Sequence, residues 1–158
     1  MISLRRALCS CILALAIGAP AWAQTRTVTL VKAVTLAAAG TYTGDVVRLP
    51  AGVGMLAVQS AIVVAAGGTS TKVFLQTSLD GGLTWVDIAQ HAFLVTTAKK
   101  VSAVRAAIAM AGGYTPTDGT LADDTIKDGL LGDRMRVKWV VAGTYTGASS
   151  ITVTAVAN

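Results

Sequence analysis

The sequence predicts an all-β chain, an antiparallel β-sandwich of jelly-roll-like form with about eight strands and one long loop. Three observations carry this. Apolar residues recur with period two in most segments and are often β-branched there, the pattern of strands with one buried face. Glycine- and proline-bearing turns (Gly40, Leu49-Pro50-Ala51-Gly52, Gly67-Gly68, Gly81-Gly82, Gly112-Gly113, Gly143) cut these segments at short spacing. With 53% hydrophobic and 13% charged residues in 158, the chain has enough apolar material for one core and too little charge for extended disorder.

In chain order, strand-like segments fall at 27–36, 43–49, 53–65, 71–78, 84–90, 92–97, 100–109, 134–142 and 149–157. The clearest runs from Arg134 to Val141. There Met135, Val137, Trp139 and Val141 share one face, while Arg134, Arg136 and Lys138 share the other and are expected in water. Ile151, Val153 and Ala155 alternate with Thr152 and Thr154 in the same way, and Val73 and Leu75 with Lys72 and Gln76, Phe74 standing on the wetter side. Trp85 and Trp139 are both assigned to core faces. Dense alanine over Val101–111 also admits a helix. The segment 111–133 holds five of the eight aspartates and reads as an exposed excursion, the expected contact surface or tip. AGTYTG occurs twice, at 39–44 and 142–147, and reads as two tight turns flanked by Thr and Tyr.

Residues 1–23, MISLRRALCSCILALAIGAPAWA, have a basic start at Arg5-Arg6, an apolar run from Ala7 to Ile17 and an Ala21-Trp22-Ala23 end. That is a signal-peptide-like pattern, which leaves 24–158 as a single sandwich domain, secreted or periplasmic if cleavage falls near Ala23. Cys9 and Cys11 belong to the leader, so the remainder has no thiol for disulfides or metal. Setting Arg5 and Arg6 aside leaves 11 Lys and Arg against 8 Asp, a formal +3, with no basic run longer than Lys99-Lys100. Scattered charge of this kind argues against nucleic acid as a partner.

Little in the chain points to reaction chemistry. His91 is the only histidine and there is no glutamate, so the usual zinc ligand sets cannot be completed; a surface or hairpin role is expected for it. Asp118, Asp123, Asp124 and Asp128 do not follow the spacing of a calcium-binding EF-hand loop and read as solvated carboxylates with ordinary pKa values. No glycine cluster has a phosphate-binding spacing. The expectation is no enzyme, with no catalytic, cofactor-binding or metal residue, no cofactor and no small-molecule substrate.

The most specific stretch is Ser78-Leu79-Asp80-Gly81-Gly82-Leu83-Thr84-Trp85. It resembles the Asp-box, Ser-x-Asp-x-Gly-x-Thr-Trp, at Ser78, Asp80, Gly82, Thr84 and Trp85. An aspartate there accepts turn amides, glycine takes positive φ, and tryptophan packs on the hairpin. Asp-boxes look structural in the sialidases and other propellers that repeat them; one copy implies a fastened hairpin. More broadly, VFLQTSLDGGLTWVDIAQHAFLVTT and GDRMRVKWVVAGTYTGASSITVTAVAN resemble segments of small virion proteins of tailed bacteriophages, a likeness over roughly 27–157. The resemblance implies a β-sandwich in the virion, a head-decoration protein or a small head–tail or tail component. Its implied partners are other virion proteins and copies of itself in a homo-oligomer. An exported bacterial surface or periplasmic binding module, including a carbohydrate-binding one built on Tyr42, Tyr114 and Tyr145, is the alternative.

Overall fold

The computed structural model describes residues 26–106, 108–110 and 112–158; the leader-like segment 1–23 lies outside them. The strands are β1 (Arg26–Thr35), β2 (Gly40–Thr43), β3 (Val47–Arg48), β4 (Met55–Val63), β5 (Ala66–Gly67), β6 (Ser70–Ser78), β7 (Val86–Phe93), β8 (Ala98–Arg105), β9 (Arg134–Ala142), β10 (Tyr145–Thr146) and β11 (Ser150–Ala157). No helix occurs among the described residues. One sheet has the order β1-β11-β4-β8; the other has β2-β9-β6-β7, with β3 also on β9, and β5 and β10 form a small separate pair.

All strand pairings are antiparallel. The pairs β1:β11, β2:β9, β4:β8 and β6:β7 are nested, as in one long hairpin, and alternate between the two sheets. A hairpin rolled in this way is a jelly roll. The rolling is driven by alternation. Leu56, Val58 and Ile62 of β4 and Ile151, Val153, Ala155 and Ala157 of β11 meet Val73 and Leu75 of β6 and Met135, Val137, Trp139 and Val141 of β9 in one buried cluster. Each of these four strands thus turns one face to the core and most of its polar residues away from it.

Several boundaries differ from the sequence expectation. One strand, β7 (Val86–Phe93), runs through the break expected at His91 between the segments 84–90 and 92–97, because His91 finds a partner inside the protein, and it ends before 94–97. The segment 43–49 divides into β2 and β3, and β2 starts at Gly40, so the first AGTYTG is largely strand. The second begins with Gly143 at φ 76° and turns into β10. The two copies are not equivalent: Tyr42 is exposed and stacked on Trp139, whereas Tyr145 is buried and receives the Thr71 hydroxyl's hydrogen bond. Of the alanine-rich run that also admitted a helix, Val101 to Arg105 lie in strand β8, and the described residues beyond it are in neither strand nor helix.

The main correction concerns the long connection after β8. Most of its described residues are exposed, as expected, but it does not leave the body of the protein. It lies across the outer face of the second sheet, so β6 and β7 are buried on both sides. Phe74, expected on the wetter side, is buried outside the main core cluster, and Arg136 and Lys138 face this loop, their side chains only 17% exposed. Trp85 likewise stays outside the sandwich core and is half-buried beside Arg136.

A β-bulge makes the covering possible. Leu75 pairs with Ala89 and Gln76 with Asp87, leaving Ile88 as the extra residue. Without it, Asp87 and Gln90 would point to opposite faces; with it, both point outward toward the loop, and Ile88 drops into the core.

Where the loop returns to β9, Gly132 lies against the Ser78 carbonyl and leaves no room for a methyl group. Gly132→Ala is therefore expected to cost roughly 2–3 kcal/mol through overpacking against backbone, read as a lower urea midpoint at an unchanged m-value.

Candidate functional site

The outer face of the β6–β7–β9 sheet brings the turn from Ser78 to Trp85 together with the loop aspartates Asp118 and Asp123. At the β6–β7 turn, the Ser78 hydroxyl donates to Asp80 Oδ1 (2.8 Å) and accepts from the Gly82 amide (2.7 Å). The Asp80 carboxylate accepts from the Leu83 amide (3.1 Å), the Thr84 amide (2.9 Å) and the Thr84 hydroxyl (2.6 Å). Gly81 and Gly82 have φ of 75° and 99°, conformations that a side chain would strain. The Thr84 hydroxyl and amide, then the Ser78 hydroxyl, hold the Asp80 carboxyl far below its ordinary pKa, with Leu83 adding to them. Trp85 leaves the turn and lies under the Arg136 guanidinium, 4.3 Å from the ring centroid. Ser78, Asp80, Gly82, Thr84 and Trp85 thus belong to one small braced structure.

Behind the turn, Arg136 Nε donates to Gln76 Oε1 (2.7 Å), and Gln76 Nε2 donates to Asp87 Oδ1 and Asp118 Oδ1, both at 2.8 Å. Asp87, 0% exposed, is the centre of this network. Its Oδ2 accepts from the amides of Gly119 (2.8 Å), Thr120 (3.1 Å) and Leu121 (3.3 Å), so three consecutive loop N–H groups converge on one carboxylate. A second anchor lies three residues on. Gln90 Nε2 donates to Asp123 Oδ1 (3.2 Å), Gln90 Oε1 accepts the Asp124 amide, and the Gln90 amide donates to Thr125 O (2.9 Å). With Lys127 N on Ile88 O (2.8 Å) and an Ala89–Ile126 bridge, the loop pairs along β7 as a partial strand.

The loop aspartates are exposed, as expected, but each is engaged by a partner. Asp118 meets Lys138 Nζ at 2.8 Å, Asp123 meets Lys72 at 2.7 Å, Asp124 meets Lys100 at 2.6 Å, and Asp128 accepts the Arg105 amide at 2.8 Å. The Lys138 and Gln76 hydrogen bonds pull the Asp118 carboxyl below its ordinary pKa, and that of Lys100 does the same for Asp124. These are carboxylates held ionised, opposite in sense to a general acid. Among the described residues no three His, Cys, Asp or Glu side chains gather as metal ligands.

His91 is not on the surface. It points into the sandwich, 6% exposed, with Nδ1 2.9 Å from the Ser60 hydroxyl and its ring edge-on to Phe93. Burial pushes its pKa down; Asp124 opposes this and Lys100 reinforces it. Ser60 is itself buried, so this Ser–His pair faces the core. The three tyrosines offered for a sugar groove are dispersed. The Tyr42 hydroxyl donates to Ala38 O, that of Tyr114 to Asp87 O, and Tyr145 is interior. A wide cleft of about 620 Å³ lies elsewhere, lined by Arg48, Pro50, Leu131 and Asp133, with Asp133 3.8 Å from Arg48.

Sequence reasoning passed over Asp87, Gln90, Gln76 and Arg136. A signal was present in Val86-Asp87-Ile88-Ala89-Gln90, where the spacing of the two polar residues breaks period two; such a break inside a strand marks a bulge.

Two outcomes follow from this network. Asp87→Ala strands the amides of Gly119, Thr120 and Leu121 and is expected to lower stability by about 3 kcal/mol, with loop amides exchanging faster than those of β11. For Asp80, the folded pKa lies below the ordinary 3.8, so its contribution is complete above that value and is lost as pH falls beneath it. Asp80→Asn should lower the urea midpoint at pH 7 and leave a shallower decline in acid, seen by chemical denaturation across pH 2–7.

Comparison with protein-family models, with curated proteins and with solved structures finds no match to this chain.

Proposed function

We propose that this chain is a non-enzymatic structural protein of a tailed-bacteriophage particle, a head-decoration protein or a small head–tail or tail component, that works by binding virion proteins and copies of itself. One observation carries the reading. The two segments that resemble phage virion proteins, SLDGGLTWVDIA and GDRMRV, lie side by side as one unit. Thr77 Oγ1 accepts the Gly132 amide (2.8 Å) and donates to Arg134 O (3.0 Å), and Arg136 covers Trp85. On this braced unit Leu79 and Leu83 stand 63% and 86% exposed, apolar side chains on a turn whose backbone is already ordered. Preordered contacts lose little entropy on docking, and weak ones add over a repeating lattice. The network uses its carboxylates and cations to fasten backbone, which suits a load-holding body better than a reactive one.

The leader-like segment 1–23 favours a second reading, an exported bacterial surface or periplasmic binding module. Mass spectrometry of particles purified on a density gradient after prophage induction separates the two. Peptides of this chain should co-sediment with capsid proteins and persist after a high-salt wash. Recovery only from periplasm or medium, with a new amino terminus at Gln24, would discard the virion reading in favour of the exported module.

A further inference from the structure

β7 and β8 are edge strands of opposite sheets, and they come together on one side of the sandwich. His91 and Ser102 sit at this seam. Both are more than nine-tenths buried, at 6% and 5% exposure, and both His91 Nε2 and Ser102 Oγ are sealed from solvent without a hydrogen-bond partner. They line a recess of about 290 Å³ whose rim holds Lys100, Val101, Asp124 and Ile126. Every element packed on His91 can be named. β8 brings the Lys100 ammonium and the loop brings the Asp124 carboxylate; β4 offers the Ser60 hydroxyl, and β6, β9 and β11 offer only Val73, Leu75, Val137 and Val153. The Lys100–Asp124 pair, 2.6 and 2.7 Å between Nζ and the two carboxylate oxygens, closes the seam from outside. Asp124 also accepts the Ala92 amide at 3.2 Å, tying loop, β7 and β8 together.

We propose that His91 is a proton-sensitive latch: protonation in mildly acidic solution opens the β7–β8 seam and releases the 123–127 segment from the edge of β7. A neutral imidazole tolerates a sealed Nε2. An imidazolium there is a buried charge with no acceptor, and it is stable only if the seam opens toward water or if Asp124 leaves Lys100 to reach it. His91 is the only histidine of the chain, hence the side chain whose ordinary titration falls in this range. Its folded pKa lies below the ordinary 6.5, so the closed seam is fully stable above that pH and weakens as pH falls below it. Asp124, held below its ordinary pKa, stays ionised through the same window. Release would uncover the Gln90 amide and the Ile88 carbonyl, now bonded to Thr125 and Lys127. An uncovered edge of this kind accepts an added strand.

The test is amide hydrogen exchange on the full chain at pH 7.5 and pH 5, corrected for intrinsic rates. Protection of the Gln90 and Lys127 amides should fall by about 10- to 30-fold, the upper figure being the limit for a group that titrates at 6.5 when released and remains unprotonated at pH 5 when closed. The Gly44 and Leu49 amides, bonded to Val137 and Asp133 carbonyls, should hold their protection. In His91→Gln the local fall should disappear. Unchanged protection at Gln90 and Lys127, an equal fall at Gly44 and Leu49, or the same fall in His91→Gln would each overturn the latch. Should the variant not fold, NMR titration of the His91 ring in the wild-type chain decides: a pKa at or above 6.5 rejects the latch, and a lower one coinciding with the local exchange change supports it.

Discussion

The grip of the Asp87 carboxylate on three successive loop amides is the contact on which the rest of this architecture turns. A jelly roll of two sheets buries one face of each. Here β6 and β7 of the second sheet are buried on both, because the chain between β8 and β9 is drawn down over them. That layer could not stay in place through apolar packing alone, since Leu121 is its one buried apolar side chain among the described loop residues. Its hold is polar, made of carboxylate-to-amide bonds at Asp87, amide exchange at Gln90 and ion pairs along Lys72, Lys100 and Lys138. Hydrogen bonds to an ionised acceptor under cover from water are among the stronger non-covalent contacts available to a protein.

The same reasoning shows which parts of the fold were legible in the sequence. β9 and β11 were, because strict alternation between apolar and polar residues has one physical meaning for a strand with one buried face. The class of fold followed from such strands and from their spacing. The covered face was not legible. Arg136 and Lys138 look like residues seeking water, and it takes Asp118, 18 and 20 residues earlier in the chain, together with Gln76 and Trp85 beside Arg136, to give them other partners. Phe74, Gln90 and His91 failed for the same reason: each is out of pattern until a distant segment or an inserted residue supplies its environment. The turn from Ser78 to Thr84 was readable because its bonds are local, all within that span, whereas the Arg136–Trp85 contact that backs it is not.

Fastening is also what connects the fold to its proposed role. A turn whose aspartate already accepts amide and hydroxyl hydrogens has little left to rearrange when another surface arrives. The exposed leucines beside it therefore meet a partner from a fixed base. Against this stiffness stands the β7–β8 seam, where buried polar atoms without partners mark the least satisfied part of the interior. Rigid turn and strained seam lie at opposite ends of β7, so one strand carries both the firmest and the least settled surroundings in the chain.

The nested pairing has a temporal side. β11 occupies an interior place in its sheet between β1 and β4, so neither neighbour has its full set of partners before β11 is available. Its partner β1 lies more than a hundred residues earlier, with Arg26 opposite Ala157. Contacts so distant along the chain are slow to find. Removing β11 would take out the middle of a sheet rather than trim its rim, and both β1 and β4 would lose the strand they share.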